Sequence, residues 1–200
     1  AMDNFVWQLG INDKRYPSYD GDNILKEYEI WKSMLKRCTQ KYWDKKPTYT
    51  GTTCSDNFKS YTYFYEWCNR QIGFGEVDES GRAWHLDKDI LVRGNKLYSE
   101  DTCVFVPQRI NKLLVKHLAR RGGFPIGVVY HPKRGKFSAR CKNGFGETKG
   151  LGTYGTKEEA FKAYKMYKEG LIKQTAEEYK EQLDDKVYQA LLSYEVDYSD

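Results

Sequence analysis

The sequence of 200 residues lacks any apolar run near the ~20 residues that a bilayer-spanning helix needs, and with a mean hydropathy of -0.81 a membrane protein is excluded. No basic segment followed by an apolar stretch stands near its start, so no secretory signal is read and a cytoplasmic protein is expected. Cysteine is sparse: Cys38, Cys54, Cys68, Cys103 and Cys141 are odd in number and widely spaced, with no CxxC pair. That pattern suggests neither a disulfide framework nor a four-ligand zinc site, and the thiols read as small core residues in a reducing compartment. Only three histidines, His85, His117 and His131, are available for imidazole chemistry. Acid is scarcest over residues 112–150, where Glu147 alone faces ten lysines and arginines. Residues 1–111 are balanced at sixteen of each sign, residues 151–200 carry seven bases to eleven acids, and the whole chain is left at +5. A block so one-sided repels itself unless something anionic lies across it, and nucleic acid is the natural counterpart.

What is present divides the chain into two modules, residues 1–120 and 125–200, around the ARRGGFP linker. The first twenty or so residues have turn formers and aromatics without a period, and read as an irregular arm. Ile24, Tyr28, Trp31, Leu35 and Cys38 then fall on one helical stripe, predicting a helix over 24–38. Residues 39–53 read as a loop, and Phe58, Tyr61, Phe64, Tyr65, Trp67 and Cys68 predict a second helix over 55–71. Two short strands, Trp84–Ile90 and Thr102–Val106, joined through Gly94 and Asn95, lead into a helix that starts at Pro107 and runs through Ile110, Asn111, Leu114 and Leu118 to Arg120. Beyond the linker, IGVVYH, KFSARC and ETKGLGTYG predict a three-stranded meander. A capping box at Thr156 and Glu159 opens a helix with Ala160, Ala163, Tyr164, Tyr167 and Leu171 on one face. The acidic tail continues in helical periodicity around Tyr188, Leu191 and Leu192. The expected fold class is α+β.

On a strand, residues two apart share a face, so His85, Asp87 and Asp89 are expected to project together: one potential base with two hard oxygen ligands. Asn111, one turn into the following helix, is placed to face the same spot. Imidazole, carboxylate and amide oxygen suit Mg²⁺, Mn²⁺ or another divalent ion, with the metal polarising a phosphate while the histidine activates water. The structural alternative makes His85 a packing residue and pairs Asp87 and Asp89 with Lys88 or Arg93. His117 and His131 have no acidic neighbours in sequence and read as surface or phosphate-contacting residues.

The segments WKSMLKRC, CSDNFKSYTYFYEW and HLDKDILVRGNKLYSEDTCVFVPQRIN, spread over roughly residues 28–115, resemble the HNH endonucleases common in phage genomes. The resemblance implies a ββα-metal hairpin-helix unit, a phage-infected bacterial cytoplasm as the setting, and hydrolysis of a DNA phosphodiester by a single divalent ion. Under it His85 matches the general base, Asn95 the asparagine that braces the hairpin loop, and Asn111 the helix position that ligates the metal. Asp87 or Asp89 stands in for the acidic ligand.

In the basic module, alternation puts Phe137, Ala139 and Cys141 on one face of a strand and Lys136, Ser138, Arg140 and Lys142 on the other. A sheet with bases on one side and a helix on the other suits the DNA major groove. Arg134 and Arg140 are the candidates for guanine contact, while Lys136, Lys142 and Lys149 are candidates for phosphate, with Lys133, Arg120 and Arg121 completing the basic set. The segment GVVYHPKRGKFSARCKNGFGETKGLGTYGTKEEAFKAY is similar to the Apetala-type DNA-binding domain of plant ethylene-response factors, which also occurs appended to phage HNH nucleases. That similarity implies that the sheet reads double-stranded DNA. Three functions are therefore carried forward: a metal-dependent DNA endonuclease of phage or homing type, a DNA-binding regulator or anti-defence factor on a decayed nuclease scaffold, and a protein inhibitor that uses the aromatic first module.

Overall fold

The arm is folded into two small hairpins in the computed structural model, which describes residues 4–116 and 122–200. β1 (Phe5–Val6) pairs antiparallel with β2 (Gly10–Ile11), and β3 (Tyr19–Asp20) with β4 (Asn23–Ile24). These pairings have no sequence period because they are two residues long. Contact with the core fixes them: a Cβ at Gly10 would stand 2.4 Å from Leu35 Cδ1 and 2.6 Å from Trp31 Cζ2, so glycine is what lets the hairpin lie this close. Farther along, Tyr16 stacks on Tyr65 with ring centroids 4.0 Å apart, and Tyr61 donates its hydroxyl to the Pro17 carbonyl at 2.9 Å.

The chain divides into two units, Ala1–Val106 and Pro107–Asp200, the division falling ahead of ARRGGFP. In the first, α1 (Lys26–Arg37) buries Trp31, Met34 and Leu35 completely. Trp31 also donates its indole N–H to the Phe58 carbonyl at 2.8 Å, so the largest core side chain leaves no polar atom unpaired. Residues 39–53 are not a plain loop. Thr39 caps α2 (Gln40–Lys45) by accepting the Tyr42 N–H, a 3-10 turn over Pro47–Tyr49 follows, and β5 (Thr53–Cys54) closes the segment. Trp43 in α2 donates to the Arg37 carbonyl at 2.8 Å and satisfies an orphan acceptor at the end of α1.

The helix predicted over 55–71 is broken near its start. Asn57–Lys59 form a 3-10 turn, Ser60 is extended (φ -89°, ψ 122°) and its hydroxyl accepts the Tyr63 N–H, so α3 (Tyr61–Arg70) begins only there. Tyr61, Phe64, Trp67 and Cys68 are its buried residues. Each fully buried large apolar side chain of this core contributes about 1.5–3 kcal/mol.

The two predicted strands shorten to β6 (His85–Asp87) and β8 (Val104–Val106), paired antiparallel with His85 opposite Val106 and Asp87 opposite Val104. Between them, β7 (Leu97–Tyr98) pairs parallel with β5.

In the second unit α4 (Gln108–Leu114) follows Pro107 and buries Ile110 and Leu113, and Val115 is already extended. The expected continuation of this helix through Leu118 to Arg120 lies outside the described residues. Arg109 of α4 pairs with Glu178 and sets its guanidinium 4.1 Å from the Phe145 ring centroid, which fastens α4 within this unit.

Strands β9 (Val128–His131), β10 (Lys136–Lys142) and β11 (Thr148–Tyr154) form one antiparallel sheet with β10 in the centre. The β10–β11 register is irregular. Ser138 faces Thr153 but Arg140 faces Gly150, so β11 carries one residue more than β10 between these pairs. The capping box of Thr156 and Glu159 is formed and opens α5 (Lys157–Glu178). Val128, Ala139, Cys141, Ala160, Phe161, Tyr164 and Val196 make the core between sheet and helix. The far half of α5 buries Ile172, Thr175 and Ala176, and α6 (Asp185–Leu192) packs along α5, burying Val187, Tyr188 and Leu191. No helix among the described residues is long and apolar enough to cross a membrane.

Cys68, Cys103 and Cys141 are buried as core residues. Cys38 and Cys54 are half-buried and differ from them, because their thiols share a hydrogen bond that raises Cys38, burial adding to it, and lowers Cys54.

Candidate functional site

Strand β6 ends at Asp87 for a local reason. The Asp87 carboxylate accepts the backbone N–H of Asp89 at 2.7 Å and of Ile90 at 2.8 Å, which turns the chain out of the strand. The expectation that Asp89 projects on the same strand face as His85 and Asp87 is corrected by this turn. His85 is exposed and Asp87 half-buried at the two ends of β6. Burial raises the Asp87 carboxyl above the usual range, against the lowering effect of the Ile90 and Asp89 N–H groups.

Asp89 is paired instead with Lys88, whose ammonium reaches its two oxygens at 2.8 Å and 3.0 Å. Lys88 is 8% exposed, and the same ammonium donates to the Asn95 carbonyl at 2.9 Å and lies 5.5 Å from the Tyr98 ring centroid. Asn95 in turn spans the loop. Its amide donates to the carbonyls of Lys88 (2.8 Å) and Leu97 (2.7 Å), while its oxygen accepts the Leu97 N–H at 3.0 Å. The loop from Lys88 to Leu97 is thus closed by one buried ammonium and one side-chain amide.

These commitments bear on a metal. Within the first unit the hard donors beside His85 are Asp87, held by its own turn, and Asp89, neutralised by Lys88, while Asn111 stands on α4 in the second unit. Among the described residues no group of three or more His, Cys, Asp or Glu side chains is placed to hold a metal ion. No metal-assisted step is therefore derived from the arrangement of these donors.

Asp87 yields a testable expectation. A carboxyl whose folded pKa is raised above its unfolded value favours the fold at low pH, and that contribution is lost as pH rises through the folded pKa. Asp87→Asn keeps the accepting oxygen without the buried charge. It should match or exceed the wild type in stability at pH 7, with the difference shrinking toward pH 4. Asp87→Ala loses both turn hydrogen bonds and should cost about 1–2 kcal/mol. Urea unfolding at both pH values checks this, and Asp87→Asn proving the more damaging of the two would refute it.

The second unit presents a different kind of surface. Cross-strand partners share a sheet face, so the side of β10 away from α5 gathers Lys136, Ser138, Arg140 and Lys142 with their partners His131, Val129, Thr153, Gly150 and Thr148. Lys136, Arg140 and Lys142 are exposed in a row, whereas Ala139 and Cys141 between them are buried. Lys133 and Arg134 extend the row into the exposed β9–β10 turn. Among the described residues none of these five cations pairs with a carboxylate. The acid of the segment, Glu147, is held in the β10–β11 turn by Asn143 at 2.7 Å.

Lys149, expected with Lys136 and Lys142 as a phosphate contact, does not share their face of the sheet. It lies opposite Cys141 on the α5 side of the sheet, with its ammonium 5.1 Å from the Tyr167 ring centroid. Arg120, Arg121 and His117 lie outside the described residues. Sequence reasoning did not foresee the hydrogen bond between His131 Nε2 and Ser138 Oγ (2.8 Å) on the outer face, which depends on cross-strand register. Compared with models of known protein families, with curated proteins and with solved structures, the chain gives no significant match.

Proposed function

We propose that the chain binds double-stranded DNA through the outer face of the β9–β10–β11 sheet. The observation that carries this reading is the unopposed row of Lys136, Arg140 and Lys142 on a face whose other residues are small or uncharged. Three cations without carboxylate partners among the described residues repel one another, and a phosphate backbone relieves that repulsion while releasing its own counterions. Small neighbours such as Gly150, Thr148 and Thr153 leave the bases standing proud of the sheet, as close approach to a groove requires. In this reading Arg140 and Arg134 reach base edges and the lysines hold phosphates. The test is a titration of a fluorescent duplex by the full chain and by its K136Q/R140Q/K142Q variant. Binding that the variant retains in full would overturn the proposal.

A second reading, in which the bound DNA is also hydrolysed, is favoured by one feature: the loop after His85 is closed by Asn95, the residue that the HNH resemblance assigns to that task. Supercoiled plasmid incubated with the protein and Mg²⁺ or Mn²⁺, beside EDTA and His85→Ala controls, separates the two. Nicking or linearisation abolished by both controls supports hydrolysis at His85. Binding without any conversion leaves DNA recognition as the function.

A further inference from the structure

The first unit carries fifteen bases to sixteen acids, but its charges are not mixed. Residues 36–54 contain Lys36, Arg37, Lys41, Lys45 and Lys46 against Asp44 alone. Asp44 accepts a hydrogen bond from Gln40 at 2.8 Å, and Lys41, Lys45 and Lys46 are exposed with no carboxylate partner among the described residues. Lys41 and Lys45 are four apart on α2, a like-charge spacing that works against a helix. This helix has six residues and buries none of them, so little within it offsets that repulsion.

The cations stand on a firm base. Tyr42 and Tyr49 meet edge to face with centroids 5.2 Å apart, Lys36 lies over Tyr42, and Arg37 lies over Tyr49 while donating to the Tyr98 hydroxyl at 3.3 Å. The patch is joined to the Asn95-braced loop twice. Lys96 Nζ donates to the Thr48 carbonyl, and the Thr53 N–H donates to the Lys96 carbonyl at 2.9 Å. Exposed Arg93 lies on that same loop.

From this arrangement we infer that α2 and the turn after it form a second phosphate-binding surface, on the first unit, with Lys41, Lys45 and Lys46 holding the backbone of a nucleic acid. The inference rests on the DNA-binding reading above for the identity of its ligand, but on different residues. Separate point charges on a segment whose half-exposed Tyr42 and Tyr49 lie under Lys36 and Arg37 suit a sugar-phosphate strand, along which charge recurs at regular intervals. The surface contacts backbone, so it adds affinity and salt dependence without sequence preference.

The experiment measures the affinity of the full chain for a duplex of about 30 base pairs, long enough to serve two surfaces, from low to moderate KCl by fluorescence anisotropy. The proteins compared are wild type, K41Q/K45Q/K46Q, the conservative K41R/K45R/K46R and the sheet variant K136Q/R140Q/K142Q. Every phosphate that a variant no longer neutralises lowers the slope of log affinity against log salt by about 0.9. The glutamine variant of α2 should therefore show a slope smaller by about 2–3, and the arginine variant should keep the wild-type slope. If the glutamine variant keeps the wild-type affinity and slope while the sheet variant loses both, the second surface is overturned and the sheet reading stands. If the α2 variant loses slope and the sheet variant does not, the sheet reading falls and this one holds. A wild-type protein that binds no duplex overturns both. All substitutions are at exposed side chains, and far-UV circular dichroism checks that each variant is folded.

Discussion

Replacing Gly127 with alanine is expected to lower the stability of the second unit by about 2–4 kcal/mol, the combined cost of a left-handed non-glycine residue and an overpacked core. Gly127 has a φ of +78°, and a Cβ built there would stand 2.0 Å from Tyr164 Cδ2 and 2.3 Å from its Cγ. Tyr164 cannot step aside cheaply, since it is 4% exposed and belongs to the core between sheet and α5. Moving the backbone instead would pull on the Gly127 carbonyl, which accepts the Arg140 N–H at 2.9 Å and so helps to hold β10. For a unit of this size the loss should lower the melting temperature by about 10–25 °C. All five tryptophans, at 7, 31, 43, 67 and 84, lie in the first unit, so their fluorescence tracks that unit while hydrogen exchange at β10 amides tracks the second. Gly135→Ala is the control. It also has a positive φ, of +57°, but a Cβ there meets nothing within 4 Å, so only the backbone cost of about 1 kcal/mol applies. Equal effects at the two positions would show that the contact with Tyr164 does not limit the fold.

Removing the charges of Lys136, Arg140 and Lys142 together is expected to weaken DNA binding by about 10²-fold or more at moderate salt, since a base-contacting arginine alone is worth about 1–3 kcal/mol and each phosphate contact adds to it. The salt slope should fall by about 2, one unit for each lysine on phosphate. The three side chains are exposed and make no ion pair among the described residues, so glutamine in their place should leave folding intact. Lys149→Gln is the informative comparison. Its ammonium lies over Tyr167 on the helix side, and its loss should change affinity far less than the loss of Arg140 does. A Lys149 effect equal to that of Arg140 would mean that the ligand lies across the α5 side of the sheet and that the outer face is not the binding surface.

How much of this was legible in the sequence depends on how locally each feature is determined. The stripe of α1 from Tyr28 to Leu35, the capping box of α5 and the alternation along β10 are set by neighbours within a few residues and are present, while Ile24, expected to begin that stripe, pairs in β4 and the helix starts at Lys26. Helix α2 was not legible: six residues are too few to display a period, and it is held by the Thr39 cap and the Trp43 contact to Arg37. The break before α3 had a local signal in Ser60, a good N-cap residue, but the aromatic run across it hid the boundary. At the candidate site, alternation was extended two residues too far, because an aspartate at a strand end captures the next N–H groups and stops the strand. The burial of the Lys88 ammonium was beyond sequence reasoning. Its pairing with the adjacent Asp89 was legible as the structural alternative, but its other partners, the Asn95 carbonyl and the Tyr98 ring, come from seven and ten residues away and meet it only through the fold.

The additional residue in β11 makes the second unit sensitive to length in a way that it is not to composition. It sets the phase in which Tyr154 turns inward beside Phe137 while Thr153 stays outside opposite Ser138. Inserting one residue at Leu151 or Gly152, with the same bulge kept, would exchange those two side chains, exposing an aromatic ring and burying a hydroxyl although no cation had been touched, whereas deleting one would leave a regular ladder with both in place. Among random changes to this sheet, substitutions on the outer face should therefore be tolerated by the fold and felt by the ligand, whereas single-residue insertions in β11 should be felt by the fold first.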